Sequence, residues 1–172
     1  MAQPRDRWIG HAFLIVNSYE GCSGLSCLPQ IDKAALDFWK TFYALRFQTT
    51  VRYNRTMQEF YSDIETFICS VAEDDSASYV VFFFIGHGGA EDTLYMEDGM
   101  TVTVKEIDHL LYFRLQSKYR ILIIDACRGQ NVLLEQGGYS PKYPKTILAH
   151  STLPHQKAWD GGSYGTLVFR RL

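Results

Sequence analysis

Two glycine-flanked motifs carry side chains that can do chemistry. Residues 82–89 read FFFIGHGG and place His87 among three glycines, and residues 122–129 read LIIDACRG and place Cys127 directly after an apolar run. A thiol near its ordinary pKa of about 8.5 is a poor nucleophile at neutral pH until a nearby base raises the fraction of thiolate. An imidazole close to the thiol supplies that base, so the pair predicts nucleophilic attack on an acyl group.

The glycines suit the same chemistry. They let a substrate carbonyl approach the main chain, where the N–H groups of Gly88 and Cys127 are the expected oxyanion donors, worth about 3–4 kcal/mol each when well aimed. Taken alone, each residue also has a structural interpretation: a cysteine that ends a buried strand is more often an inert core thiol, and a glycine-flanked histidine is ambiguous. Two strand ends that each carry half of the pair favour catalysis.

The elements that must position these motifs alternate along the chain. Short apolar runs predict strands, amphipathic runs predict helices, and Thr56 with Glu59 predicts a capping box. The predicted strands cover residues 11–17, 46–54, 78–89, 119–129 and 146–152, the predicted helices cover 29–45, 55–73 and 105–115, and a hairpin is predicted over 93–104. This alternation predicts a doubly wound, mostly parallel α/β sheet with helices on both faces. Function in such sheets collects beyond the carboxyl ends of the strands, where His87 and Cys127 are expected.

Length, charge and cysteine usage exclude several classes of function. The 172 residues suit one domain, and a net charge of −2 gives no basic face for nucleic acid. No apolar run approaches the ~18 residues of a membrane span, and the start MAQPRDRW lacks a signal-peptide core. The four cysteines form no CxxC pair and no zinc spacing with the five histidines. We therefore expect free thiols, no metal, no cofactor and a reducing, cytoplasmic location, with the oligomeric state left open.

The two motifs together resemble those of a known superfamily. FIGHGG followed by IIDACRGQ is similar to the histidine and cysteine motifs of the caspase-like cysteine peptidases, which include caspases, metacaspases and paracaspases. The resemblance covers nearly all of residues 8–170 and implies the caspase-like (caspase–hemoglobinase) fold. It also implies that His87 is the general base and acid, that Cys127 is the nucleophile, and that the substrate is a protein or peptide. Cell-death or inflammatory signalling is the pathway that the family suggests.

The same resemblance divides the single domain of residues 1–172. Residues 8–129 resemble the large-subunit region, 130–145 a linker loop, and 146–172 the start of a small-subunit region. Caspases continue further, so we expect either a truncated domain of a longer protein or a compact version without the dimer edge. The linker contains Lys142 and Lys145 but no Asp, so an enzyme specific for basic residues could cut itself there.

Departures from the caspase pattern bear on the substrate. The caspase Gln two residues before the cysteine is Asp125 here, the small-subunit Trp-Arg pair is Trp159-Asp160, and the neighbourhood of the early arginine offers Asp32. The resemblance is therefore closest to paracaspases and metacaspases, and implies an anionic pocket walled by Trp159. Carboxylates in one cleft bind a guanidinium and repel an aspartate. The alternatives are a carboxylate that caps backbone amides for Asp125, a turn residue for Asp160 and a first-turn helix acid for Asp32.

These observations predict a cysteine endopeptidase that cleaves after Arg or Lys by thioester acyl transfer. The main alternative is a catalytically weak caspase-like scaffold that acts as a binding or regulatory module, and another is an Asp-specific caspase. A Rossmann-type nucleotide binder is disfavoured because LIVNSYEGCSGLS after the first strand has no GxGxxG.

Overall fold

A five-stranded parallel sheet forms the centre of the protein, whose structure is a computed structural model that describes residues 8–127 and 139–151. In chain order the elements are β1 (Gly10–Val16), α1 (Ile31–Ala44), β2 (Phe47–Tyr53), α2 (Met57–Ala72), β3 (Tyr79–Ile85), a 3-10 turn (Ala90–Asp92), β4 (Thr93–Tyr95), β5 (Thr101–Thr103), α3 (Val104–Arg114), β6 (Tyr119–Asp125) and β7 (Thr146–His150). The strand order of the large sheet is β2-β1-β3-β6-β7, and all its pairings are parallel. The predicted fold class is confirmed.

Helices cover both faces of this sheet. Side chains of a strand project alternately to the two faces, so Val81 and Phe83 of β3 pack on the α1 side, whereas Phe82 and Phe84 pack on the side of α2 and α3. Each face therefore has its own apolar cluster, and the continuous apolar runs of the sequence are those of strands buried on both sides. No helix within the described ranges is long and apolar enough to cross a membrane.

Capping residues determine where the helices begin. The capping box predicted for α2 is present: the Thr56 hydroxyl accepts the Glu59 N–H, and the Glu59 carboxylate accepts the Thr56 N–H. A second box, which we did not predict, begins α3 at Thr103. The first helix begins at Ile31, two residues after Pro29, and its N-cap residue Gln30 makes no side-chain capping hydrogen bond.

A buried guanidinium holds β7 against β6. Arg120 is fully buried and donates to the carbonyls of Leu115 and Pro144 at 2.8 and 2.5 Å. It also donates to the Thr146 hydroxyl at 3.0 Å. The buried Asp108 carboxylate lies close enough to compensate its charge. Hydrogen bonds that satisfy a buried charge are expensive to remove, so this cluster fixes the strand that follows the 130–145 linker.

We expect Thr56→Ala to lower the free energy of unfolding by about 1 kcal/mol, because the first turn of α2 loses an N-cap acceptor. The matched control is Thr66→Ala, since the Thr66 hydroxyl donates to the Ser62 carbonyl inside the same helix and its loss should change stability by less than about 0.5 kcal/mol. Urea denaturation followed by circular dichroism measures both. Equal losses in the two variants would contradict the capping role.

Candidate active site

The pairing of β3 with β6 brings the two motifs to the same edge of the sheet. Ile85 stands opposite Asp125 in the parallel register, and the Gly86 N–H donates to the Asp125 carbonyl at 3.2 Å. His87 and Cys127 each follow this pair by two residues. The two strands therefore bring His87 and Cys127 level with each other at the carboxyl edge of the sheet.

Beyond the strands, the two main chains remain in contact at Gly88. A Cβ atom added to Gly88 would lie 2.1 Å from the Cys127 carbonyl oxygen and 2.9 Å from the Ala126 Cβ. No side chain fits in that space, so glycine is required for the histidine segment to lie against the nucleophile segment. This contact places the two predicted oxyanion donors, at Gly88 and Cys127, on touching stretches of backbone.

The imidazole of His87 is held by the loop between β1 and α1. Its Nε2 lies 2.7 Å from the Ser26 carbonyl oxygen and 3.2 Å from the Ser26 hydroxyl. A carbonyl only accepts hydrogen bonds, so Nε2 carries the hydrogen and Nδ1 of the neutral ring keeps its lone pair. The ring is half-buried, and its contact with Ser26 leaves Nδ1 as the nitrogen that can take a proton.

The main chain of His87 is held by a second residue of the same loop. Its N–H donates to the Tyr19 hydroxyl oxygen at 2.9 Å, and that hydroxyl donates to the Tyr95 carbonyl at 2.6 Å. The rings of Tyr19 and His87 also pack together, with centroids 4.6 Å apart. The loop therefore holds both the ring and the backbone of the histidine.

Asp125 ends β6 as a largely enclosed carboxyl group. Burial raises its pKa because water no longer solvates the ionised form. The neighbouring Ser151 side chain lowers the pKa by a smaller amount. No cationic side chain within the described residues pairs with Asp125.

Of the other predicted pocket residues, only Asp32 lies in the described part of the chain. Asp32 is exposed in the first turn of α1. The pKa of Tyr53 is raised mainly by the burial of Tyr53 itself, and the negative charge of Asp32 raises it further. Tyr53 ends β2, which stands three strands away from β6, roughly 14 Å at ~4.8 Å per strand. Trp159 and Asp160 lie outside the described residues, so their placement in the pocket remains a prediction.

Two residues that hold His87 were missed in the sequence. Ser26 acts through its main-chain carbonyl, which every residue type possesses, so no sequence signal identifies it. Tyr19 stands three residues beyond Val16, the end of β1. Its position past the carboxyl end of a central strand is a signal that could have found it.

The four cysteines are thiols, and none forms a disulfide. Within residues 8–127 and 139–151 no group of three or more His, Cys, Asp or Glu side chains is arranged to hold a metal ion. The chemistry that this edge of the sheet presents is that of a thiol, an imidazole and an enclosed carboxyl group.

Comparisons with known proteins agree with this geometry. The sequence model of the family described as Caspase domain matches residues 9–172. The crystal structure of caspase-1 from Spodoptera frugiperda superimposes with a TM-score of 0.66 at 22% sequence identity, covering 88% of this chain and 63% of that one. The chain thus spans less than two thirds of that protein's length. A search of curated proteins found no match.

We expect Asp125→Asn to stabilise the protein at pH 8 and to have little effect near pH 4. The folded-state pKa of Asp125 is raised. The protonated carboxyl group therefore contributes its full stabilisation of the folded state below the unfolded-state pKa of about 3.9, and this stabilisation is lost as the pH rises through the folded-state pKa. Melting temperatures from pH 4 to 8 measure this, with Asp37→Asn on the exposed face of α1 as the matched control. A gain that does not depend on pH would contradict the burial argument.

Proposed function

The chain belongs to the caspase-domain family, and from this premise we propose that it is a cysteine endopeptidase that cleaves proteins after Arg or Lys through Cys127 and His87. The observation that carries the specificity is the enclosed carboxyl group of Asp125, two residues before the nucleophile. Its chemistry matches the paracaspase and metacaspase type of pocket. The proposed location is cytoplasmic, a reducing compartment in which free thiols persist.

The proposed reaction is acyl transfer through a thioester. His87 Nδ1 takes the proton of the Cys127 thiol, and the sulfur attacks the scissile carbonyl carbon. The N–H groups of Gly88 and Cys127 stabilise the oxyanion that forms. The intermediate collapses to a thioester as His87 returns the proton to the leaving amine, and water then releases the acid by the same steps.

The Ser26 carbonyl supports this cycle in two ways. By accepting the Nε2–H hydrogen bond at 2.7 Å, it selects the tautomer in which Nδ1 is the base. When His87 becomes an imidazolium, the same carbonyl dipole faces the positive ring and stabilises it, because hydrogen bonds to charged donors are roughly twice as strong as neutral ones. Ser26 is therefore a positioning residue that acts through its backbone.

The pocket argument rests on the charge of Asp125. Its ionised form is poorly solvated and has no cationic partner within the described residues. A substrate guanidinium supplies the missing charge and two N–H donors, whereas an aspartate adds a second negative charge. An unpaired buried charge costs about 3–5 kcal/mol, enough for a preference of a hundredfold or more. Asp160, Asp32 and Trp159 stay in the proposal as sequence-predicted additions to the pocket.

The first experiment compares two fluorogenic peptides that differ only in Arg or Asp before the reporter bond. We expect cleavage after Arg at a kcat/KM at least about a hundredfold higher. Asp125→Asn should remove most of this preference. Cys127→Ala should abolish turnover, and Cys69→Ala, which changes another half-buried thiol, should leave it intact.

Each other result assigns a different function. Preferential cleavage after Asp would overturn the anionic pocket and favour an Asp-specific caspase. A folded protein that cleaves neither peptide would favour the catalytically weak scaffold that acts as a binding or regulatory module. Activity that survives in Cys127→Ala would exclude Cys127 as the nucleophile.

Self-cleavage in the linker should occur after Lys142 in preference to Lys145. Both side chains are exposed, but the Lys145 carbonyl accepts the Arg120 N–H at 2.8 Å and its ammonium group donates to the Ser117 carbonyl at 3.1 Å. Intact-mass spectrometry of the incubated chain should show the cut lost in Cys127→Ala and Lys142→Ala and kept in Lys145→Ala. Cleavage at the same position in a variant that carries both Lys142→Ala and Lys145→Ala would contradict the proposal.

A further inference from the structure

The histidine segment depends on a tyrosine that has no part in the acyl-transfer steps. We propose that Tyr19 is a positioning residue for His87. Its hydroxyl fixes the histidine main chain and thereby orients the imidazole toward the Cys127 thiol. The inference rests on the proposed role of His87 as the base, and it adds a residue to that site.

The first support is the direction of the hydrogen bonds. The Tyr19 hydroxyl donates its single hydrogen to the Tyr95 carbonyl at 2.6 Å, so its oxygen is left to accept the His87 N–H at 2.9 Å. Tyr95 in turn donates its N–H to the His87 carbonyl at 3.1 Å. The hydroxyl thus bridges Tyr95, the last residue of β4, to the histidine and closes a ring of contacts around the peptide of His87.

The second support is the fit of the surroundings to that hydroxyl. Tyr19 is almost completely buried, at 1% exposure, so its polar atom needs partners. A Cβ atom added to Gly86 would lie 2.6 Å from the Tyr19 oxygen. The glycine before His87 therefore leaves the space that the hydroxyl fills, a second role distinct from the contact of Gly88 with Cys127.

The third support is backbone strain at Tyr19. Its φ is +60°, a left-handed conformation that is unusual for a bulky side chain. Its N–H is held in place by the Glu97 carboxylate at 3.0 Å. Strained residues that their surroundings hold in place cluster at functional sites, and here the strained residue is the one that contacts the catalytic histidine.

The hydroxyl is available as a neutral group throughout the working pH range. Burial, the largest effect, raises the pKa of Tyr19 well above that of an exposed phenol. The phenol therefore keeps its proton at any pH at which a Cys–His pair operates, and the bridge between His87 and Tyr95 does not titrate there.

Tyr19→Phe tests the proposal because it removes one oxygen and keeps the ring. We expect kcat on the Arg peptide to fall about ten- to hundredfold, as for a misplaced catalytic group, with KM changed less than about threefold. The matched control is Tyr79→Phe, which alters an exposed tyrosine at the opposite end of β3. Melting temperatures of both variants confirm that they are folded.

Two magnetic-resonance measurements report on His87 itself and need no enzymatic activity. The His87 amide should be protected from hydrogen exchange in the wild type and should lose that protection in Tyr19→Phe, while the Tyr95 amide keeps its own. The ring nitrogens should show the Nε2–H tautomer in the wild type and a mixture of tautomers in the variant. A purely structural tyrosine would not change the tautomer of one histidine.

The outcomes separate the two proposals. A loss of kcat together with altered His87 signals supports the positioning role. A variant with wild-type kcat or with unchanged His87 signals overturns it. If the wild type cleaves no peptide, the peptidase proposal fails, and the amide and tautomer signals alone decide whether Tyr19 positions His87.

Discussion

The level register of β3 and β6 is the constraint on which the whole carboxyl edge depends. Ile85 stands opposite Asp125, so a shift of one residue in either strand would carry His87 away from Cys127 and turn their side chains to the other face. The close contact at Gly88 extends the constraint beyond the last ladder pair. The relative placement of His87 and Cys127 is therefore a consequence of sheet pairing, and the loop contacts adjust the position that the strands determine.

The surroundings of Asp125 depend on the sheet in a second way, through β7. This strand pairs with β6 beside Asp125, and Ser151 follows it directly, with its N–H on the Ile124 carbonyl at 2.9 Å. The buried Arg120 holds the beginning of β7 through the Pro144 carbonyl and the Thr146 hydroxyl. Burial of the Asp125 carboxylate is thus linked to the Arg120 cluster at the far end of the same two strands.

Local rules predicted most of the fold, but they did not predict the contacts that hold His87. Apolar periodicity placed the strands and helices, and the Thr56 capping box was readable because side chains of defined type form it. The contacts around His87 could not be predicted from residue types in the same way. Ser26 acts through a carbonyl that carries no sequence signature, and Tyr19 acts from a left-handed conformation that its residue type disfavours. Such contacts arise from tertiary packing, which single-sequence patterns do not encode.

Asp125 interrupts the apolar pattern of the preceding residues of β6. Every residue from Ile121 to Ile124 is apolar, and a neutral residue after them would satisfy the fold better than a carboxylate whose ionised form is poorly solvated. In the function we propose, the stability lost by ionising that group is the free energy that an arriving guanidinium recovers. A ligand with a negative side chain recovers none of it and adds repulsion. In the proposed function, this one enclosed carboxylate accounts for both the sign of the preferred residue and how strongly it is preferred.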